Sequence, residues 1–265
     1  MKQTLFEYIP DIFDIINNDV ELTPIEKQNN IYVKRNDLFK IFDVNGAKAK
    51  QAYALISVSD AIGVVTAGAR YSPQIQIVAN ICKYLKKKCI CHTIKGKMTK
   101  ELLAAEEDGA KVIIHKNTWH NNVIISYAKK DAFEKNYLYI PFGMESWEAI
   151  KQTALQVKNV PFDINKIVIS AGSGINLCGL LWGIKLYKRN IKVKAIQIGI
   201  DINKILEKYA PYDYKDYLEI VKTPYKYSTK IKAKIDDIIL DPIYEAKCFE
   251  YLEDNCLFWI IGKRR

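Results

Sequence analysis

Short apolar runs alternate with amphipathic stretches along almost the whole chain. IYVKR (31–35), IGVVTA (62–67), KCICHTI (88–94), KVIIH (111–115), LYIPF (138–142), KIVIS (166–170) and VKAIQIGI (193–200) are rich in β-branched residues, and several stop at Gly or Pro. Runs of that length and composition predict buried strands. Between them, helical patterns cover 46–58, 73–87, 98–108, 118–131, 145–158 and 175–189, with Asp131 and Pro141 as punctuation in the middle of the chain. The βαβα rhythm predicts an α/β fold of parallel twisted sheets flanked by helices. Segment 201–238 breaks it: a helix-like stretch is followed by a Lys/Tyr-rich piece. Alternating Lys and Tyr can form a stacking and phosphate surface for single-stranded nucleic acid. A solvated helix plus an edge strand with half-buried tyrosines explains the same pattern and is the favoured reading.

Composition narrows the class. No apolar run approaches the ~18 residues of a membrane span. The N-terminal MKQTLFEYIPDIFDII carries acidic residues inside its apolar stretch, so no signal peptide is expected. Cys82, Cys89, Cys91, Cys178, Cys248 and Cys256 have neither zinc nor redox CxxC spacing, and they read as reduced thiols of a cytoplasmic protein. No metal site is expected. The net charge is +10, but 35 of the 40 cationic residues are Lys and only 5 are Arg. Such a bias, beside heavy use of Ile, Asn and Tyr, is partly compositional. It leaves few guanidinium forks for base recognition, while a basic surface still attracts nucleic acid without specificity.

Three segments carry candidate chemistry. In KIVISAGSGINLCGLLWGIKLYKR (166–189) a buried strand ends in Ala171-Gly172-Ser173-Gly174 and a helix follows at once. Glycines let the backbone turn its N–H groups inward, and the helix N-terminus adds a positive dipole. The loop suits one phosphate, held by backbone amides and the Ser173 hydroxyl. The dinucleotide fingerprint would need Gly at 177, where the chain has Leu177. In TPIEKQNNIYVKRNDLFKIFDVNGAKAKQAYALI (23–56), a strand carries Lys34 and Arg35, and Gly46 precedes a helix with Lys48 in its first turn. A cation there opposes the helix dipole unless its amine is neutralised. In LDPIYEAKCFEYL (240–252), Tyr244 beside Glu245 at the start of a last helix suits proton transfer or ring anchoring.

Together these segments resemble the fold type II pyridoxal-phosphate (PLP) enzymes, the tryptophan synthase β-subunit superfamily. The nearest branch is that of aminocyclopropane-carboxylate deaminase and D-cysteine desulfhydrase. The family's "TPL…lyvKRdDl" is matched by Thr23-Pro24-Ile25 and Tyr32 to Leu38, and its "GGNK" by Asn45-Gly46-Ala47-Lys48. "GxxSNxxR" corresponds to Gly68 through Gln74, and "LDPVYxGK" to Leu240 through Lys247.

The resemblance implies a two-lobed enzyme: a large cofactor-binding lobe from 1–52 and 146–265, and a small lobe from 53–145. It implies that Lys48 holds pyridoxal 5'-phosphate as a Schiff base and moves protons at the substrate Cα. The amides of Gly172, Ser173, Gly174, Ile175 and Asn176 would hold the cofactor phosphate, and Glu245 would face the pyridine nitrogen. Tyr244 would act near the substrate as acid, base or nucleophile. Ser72 and Gln74 would sit beside the substrate's carboxylate or reacting carbon, with Tyr71 close by. A homodimer is implied as well.

The expected activity is that of a PLP-dependent lyase or deaminase acting at the Cα or Cβ of an amino-acid substrate. Two departures keep other readings open. Pro73 replaces the family's Asn and has no N–H to offer a carboxylate. The stretch between Gly199 and Leu240 is also short for this branch. Both fit a PLP decarboxylase acting on an amino-acid group attached to a DNA base, as in phage DNA hypermodification in an infected host. A non-catalytic PLP carrier and a nucleic-acid-binding protein without cofactor are the remaining alternatives.

Overall fold

The structure, a computed structural model, describes residues 21–262. The segment 1–16, on which the signal-peptide reading rests, lies outside the described residues. The described chain opens with β1 (Ile25–Gln28), β2 (Ile31–Arg35), a small hairpin of β3 (Lys40–Ile41) and β4 (Val44–Asn45), and α1 (Ala47–Ser57). Four βα repeats follow: β5 (Gly63–Ala67), α2 (Gln74–Tyr84), β6 (Lys88–Ile94), α3 (Lys100–Glu107), β7 (Lys111–His115), α4 (Asn121–Lys135), β8 (Leu138–Ile140) and α5 (Trp147–Leu155). Next come β9 (Lys166–Ala171), α6 (Ile175–Leu186), β10 (Lys192–Gln197), α7 (Asn203–Tyr209) and β11 (Leu218–Lys222). A second hairpin, β12 (Lys234–Ile235) and β13 (Ile238–Ile239), precedes a 3-10 helix at Glu245–Tyr251 and the strand β14 (Leu257–Ile260).

Two sheets organise these elements. The smaller has the order β7-β6-β5-β8, all parallel. The larger has the order β1-β2-β14-β9-β10-β11, parallel except for the β1–β2 pair. In each, the first parallel strand of the series (β5 or β9) is followed by a neighbour on one side, while a later strand fills the other. That reversal leaves a crevice beyond the strand's carboxyl end, where ligands of open α/β sheets bind. The loops that leave these two strands are 68–73 and 172–174.

All seven expected strands form. The fully buried pattern of β5 and the long apolar run of α6 match what a sheet covered on both faces requires. The helices come out one to three residues shorter at most ends. The exception is α4, which runs through Asp131 instead of stopping there. The Asp131 carboxylate is occupied by His92 Nε2 at 3.2 Å and by Lys135 Nζ at 2.8 Å, so it does not compete for the helix backbone. Segment 201–238 contains a helix and the edge strand β11, with Tyr214 and Tyr217 half-buried, as the favoured reading has it. The central strand β14 is absent from the sequence reading, and the last helix is 3-10, not α.

Helices α5 and α6 pack backbone to backbone. A Cβ at Gly179 would lie 2.5 Å from Thr153 Cβ, and one at Gly183 would lie 2.5 Å from the Ala154 carbonyl. The two glycines after the phosphate-type loop therefore serve helix packing, which seats α6 against the core. All six cysteines are unpaired and buried. No helix among the described residues is long and apolar enough to cross a membrane.

Candidate active site

Both switch-point loops open onto one cavity of about 560 Å³, within the range of small-molecule sites. Lys48, Tyr71, Gly172, Ser173, Gly174, Asn176, Tyr244 and Glu245 all line it. Elements far apart in sequence are joined there because β9, β14 and the 3-10 helix meet at the carboxyl end of the large sheet.

Lys48 reaches the wall through a tight turn. Gly46 has φ +90, and a Cβ there would stand 2.9 Å from Gly262 Cα and 3.0 Å from the Ile261 carbonyl. Only glycine lets α1 begin against the end of β14, where Ala47 N donates to Ile261 O at 2.8 Å. The neighbouring lysines are spent elsewhere. Lys34 is fully buried and donates to Thr23 O at 2.8 Å and Asn159 Oδ1 at 2.6 Å; burial, then the nearby Lys50 charge, push its pKa down to about 7. Lys50 donates to Glu21 O at 2.6 Å and stands 4.5 Å over the Phe39 ring.

The glycine loop forms a concave backbone cradle. A Cβ at Gly172 would sit 2.8 Å from Tyr244 Cε1, so the tyrosine ring closes directly over the loop. Gly174 takes φ +87 and caps α6. The Ser173 hydroxyl, expected to hold a phosphate, donates to Gly143 O at 3.1 Å. Asn176 Oδ1 accepts from Gln51 Nε2 at 2.9 Å and Thr153 Oγ1 at 3.1 Å. Beneath the loop, Ser170 Oγ is buried in the cavity wall without a hydrogen-bond partner.

Asp241 Oδ1 accepts from Ile243 N at 2.8 Å and Tyr244 N at 3.0 Å, which fixes the turn into the 3-10 helix. Glu245 is 2% exposed, and its Oε1 accepts from Ile261 N at 3.0 Å. Burial, then the Asp241 charge, hold its carboxyl well above the usual range against the pull of those backbone N–H groups. Tyr244 also meets Tyr227 at the hydroxyl.

Two side chains expected at the substrate, those of Ser72 and Gln74, do not line the cavity. The Ser72 hydroxyl accepts from Gln74 N at 3.3 Å and caps the turn into α2. Gln74 is spent inside the fold: Nε2 donates to Thr66 Oγ1 at 3.0 Å and Pro141 O at 2.8 Å, and Oε1 accepts from Gly143 N at 2.8 Å. This ties β5 to the turn after β8 and leaves Gln74 nothing for a substrate. The Ile175 side chain is in the hydrophobic core, while the group expected at the phosphate is its backbone N–H, at the start of α6. Sequence reasoning missed Asn45, Ser170, Gln76, Lys100 and Glu101, which line the cavity. Gln76 was within reach of the helical period, since it lies one turn beyond Pro73 on the same face.

No protein-family model matches the chain. It is 25% identical, over 95% of its length and 84% of the relative's, to a Pyrococcus horikoshii protein named "Putative 1-aminocyclopropane-1-carboxylate deaminase". Among solved structures, an ACC deaminase homologue superposes with a TM-score of 0.79 at 20% identity, covering 96% of this chain and 94% of that one. The processed form of threonine deaminase isoform 2 from Solanum lycopersicum gives 0.67 at 16% identity, covering 100% and 85%. These neighbours are fold type II PLP enzymes, and this chain has their α/β fold, so the resemblance carried by the sequence motifs holds.

Proposed function

We propose that the chain is a PLP-dependent lyase acting at the Cα or Cβ of an amino-acid substrate. The observation that carries this reading is the placement of Lys48. It faces the cavity, while the adjacent Lys34 and Lys50 are committed to internal carbonyls and rings. The residues present fit the cofactor. The side-chain-free Gly172 leaves a cradle that a Cβ would fill, and Ser170 Oγ is a buried hydroxyl in want of a partner.

In this reading, the amides of 172–176 and the N-terminus of α6 bind the phosphate. Pyridoxal phosphate, when bound, supplies an aldehyde for amines and a ring that draws electrons from the substrate Cα. Lys48 holds the cofactor and then serves as the base at that carbon. Glu245, protonated in its buried site, shares its proton with the ring nitrogen. Tyr244, with Tyr227 on its hydroxyl, would give or take a proton at the substrate. Closure of the ring over Gly172 excludes water from the reacting centre.

The same proposal takes 53–145 as the small lobe and the remainder as the large one, and takes the protein to be a homodimer in the cytoplasm. The six unpaired, buried thiols support that compartment. The decisive experiment is purification with added pyridoxal phosphate. A near-visible absorption band that borohydride bleaches, and that Lys48→Ala abolishes, supports the reading. A colourless protein that takes up no cofactor ends it.

A second reading, in which the amino-acid group is tethered to nucleic acid, is favoured by Lys230. This exposed lysine lines the cavity, in the same segment as the exposed Lys222, Lys226 and Lys232. Turnover of a tethered substrate should fall steeply with salt, because each phosphate contact releases counterions. Salt-insensitive turnover of a free amino acid, with none on modified DNA, eliminates it.

A further inference from the structure

The face of α2 that walls the cavity is made by Pro73, Gln76 and Ile77, the i, i+3, i+4 spacing of one helical stripe. Gln76 is 7% exposed, and among the described residues its side-chain amide makes no hydrogen bond. Gln74, two positions earlier, has both ends of its amide engaged. The Gln76 amide has no partner within the described chain and lies on a cavity wall, which points to a polar group supplied from the cavity.

The surroundings define that group's charge. Pro73 is the N-cap of α2 and carries no N–H. The amide of Gln74 is taken by Ser72 Oγ, and the first intrahelical bond runs from Ile77 N to Pro73 O at 2.9 Å. The N–H groups of Ile75 and Gln76 are thus left without helical partners, at the positive end of the helix dipole. Lys48 lines the same cavity. A planar anion suits an NH2 donor beside a positive helix end, and the one anion that every amino-acid substrate brings is its carboxylate.

We propose that the Gln76 side-chain amide donates to the substrate's carboxylate, supplying on this helix a donor that Pro73 does not. This rests on the amino-acid reading above. Gln76 contacts substrate, whereas Ser72 and Gln74 shape the turn that presents it.

The test uses the cofactor-loaded protein and two probes, glycine and glycinamide, whose binding is followed by the change in cofactor absorption. They share the amine and differ in the carboxylate. Gln76→Ala should weaken glycine roughly tenfold, the loss of one charge-assisted hydrogen bond. Glycinamide should change less than twofold, with cofactor affinity and melting temperature held. Gln76→Glu should reject glycine more strongly still, through like-charge repulsion, and bind glycinamide at least as well as the wild type does. Equal weakening of both probes, or unchanged glycine binding in both variants, overturns the proposal. If the wild-type protein binds no cofactor, the amino-acid reading itself fails, which is a different result from a loaded protein indifferent to Gln76.

Discussion

The hydroxyls of Tyr227 and Tyr244 meet at 3.2 Å, their rings crossing edge to face with centroids 5.9 Å apart. Tyr227 belongs to the Lys/Tyr-rich segment, and its position there is set by a buried cation. Lys247 is 1% exposed, and its Nζ donates to Lys226 O at 2.9 Å and Tyr227 O at 3.0 Å. The tyrosine pair therefore depends on a lysine that never reaches the cavity.

Replacing Lys247 by Met should release the segment at little cost to folding, since both carbonyls can turn to water. The expected result is a fall of about tenfold in kcat/KM, near the loss of one hydrogen bond in the reacting state. Cofactor content should stay unchanged, and the melting temperature should shift by only a few degrees. Steady-state kinetics beside absorbance of the bound cofactor checks it; undiminished kcat/KM would remove Tyr227 from the chemistry.

Reduction of the cofactor-loaded protein with borohydride, followed by peptide mapping, should place the pyridoxyl group on Lys48. Lys34, with its pKa pushed down to about 7, has an amine that is reactive by charge alone. It is sealed between Thr23 and Asn159, however, so access decides against it. A label on Lys34 or Lys50 would show that the lysine has been misassigned.

Gly172→Ala adds a single methyl where Tyr244 Cε1 lies 2.8 Å away. The ring must move off the loop, and the cradle must narrow. Cofactor affinity should drop at least tenfold, while the apo protein loses about 1–3 kcal/mol of stability to overpacking. Equilibrium dialysis and denaturant unfolding separate the two effects. Full affinity in the alanine variant would argue that the phosphate binds elsewhere.

Glu245 gives the apo protein a pH dependence of defined sign. Its carboxyl is raised from 4.5 up to about 8, by burial first and by Asp241 second. Below that window both folded and unfolded chains hold the proton, and the group costs nothing. Within it the unfolded chain ionises and the folded one does not, so stability declines as pH rises and levels off above the folded value. Glu245→Gln should flatten that slope. Denaturant midpoints of both proteins at the two ends of the window decide the matter; parallel slopes would place the pH dependence on other groups.

Much of this was legible in the sequence, for local reasons. The strands announce themselves because a sheet covered on both faces needs unbroken β-branched runs, and the glycine loop because only glycine fits a cradle with φ +87 at Gly174. What the sequence did not reveal were placements decided at long range. Gln74 follows Ser72 and Pro73 and looks available, yet its partners Pro141 and Gly143 lie about seventy residues on. Gln76 looks like one more helical residue until α2 is set against the cavity. The four-residue LFWI of β14 is too short to stand out, although it fills the centre of the larger sheet between β2 and β9.

One residue at the end of that strand, Ile261, ties the site together through the peptide units on either side of it. The Ile261 carbonyl accepts from Ala47, at the start of the helix that carries Lys48, and its N–H donates to Glu245. The helix start that carries Lys48 and the Glu245 carboxylate thus hang from the two backbone groups of a single residue. A change that moves β14 along its axis would shift both groups together, keeping their separation while altering their distance from the glycine loop. Cofactor grip should then be the first property lost when residues 257–262 are disturbed, before the spacing of Lys48 and Glu245 is felt.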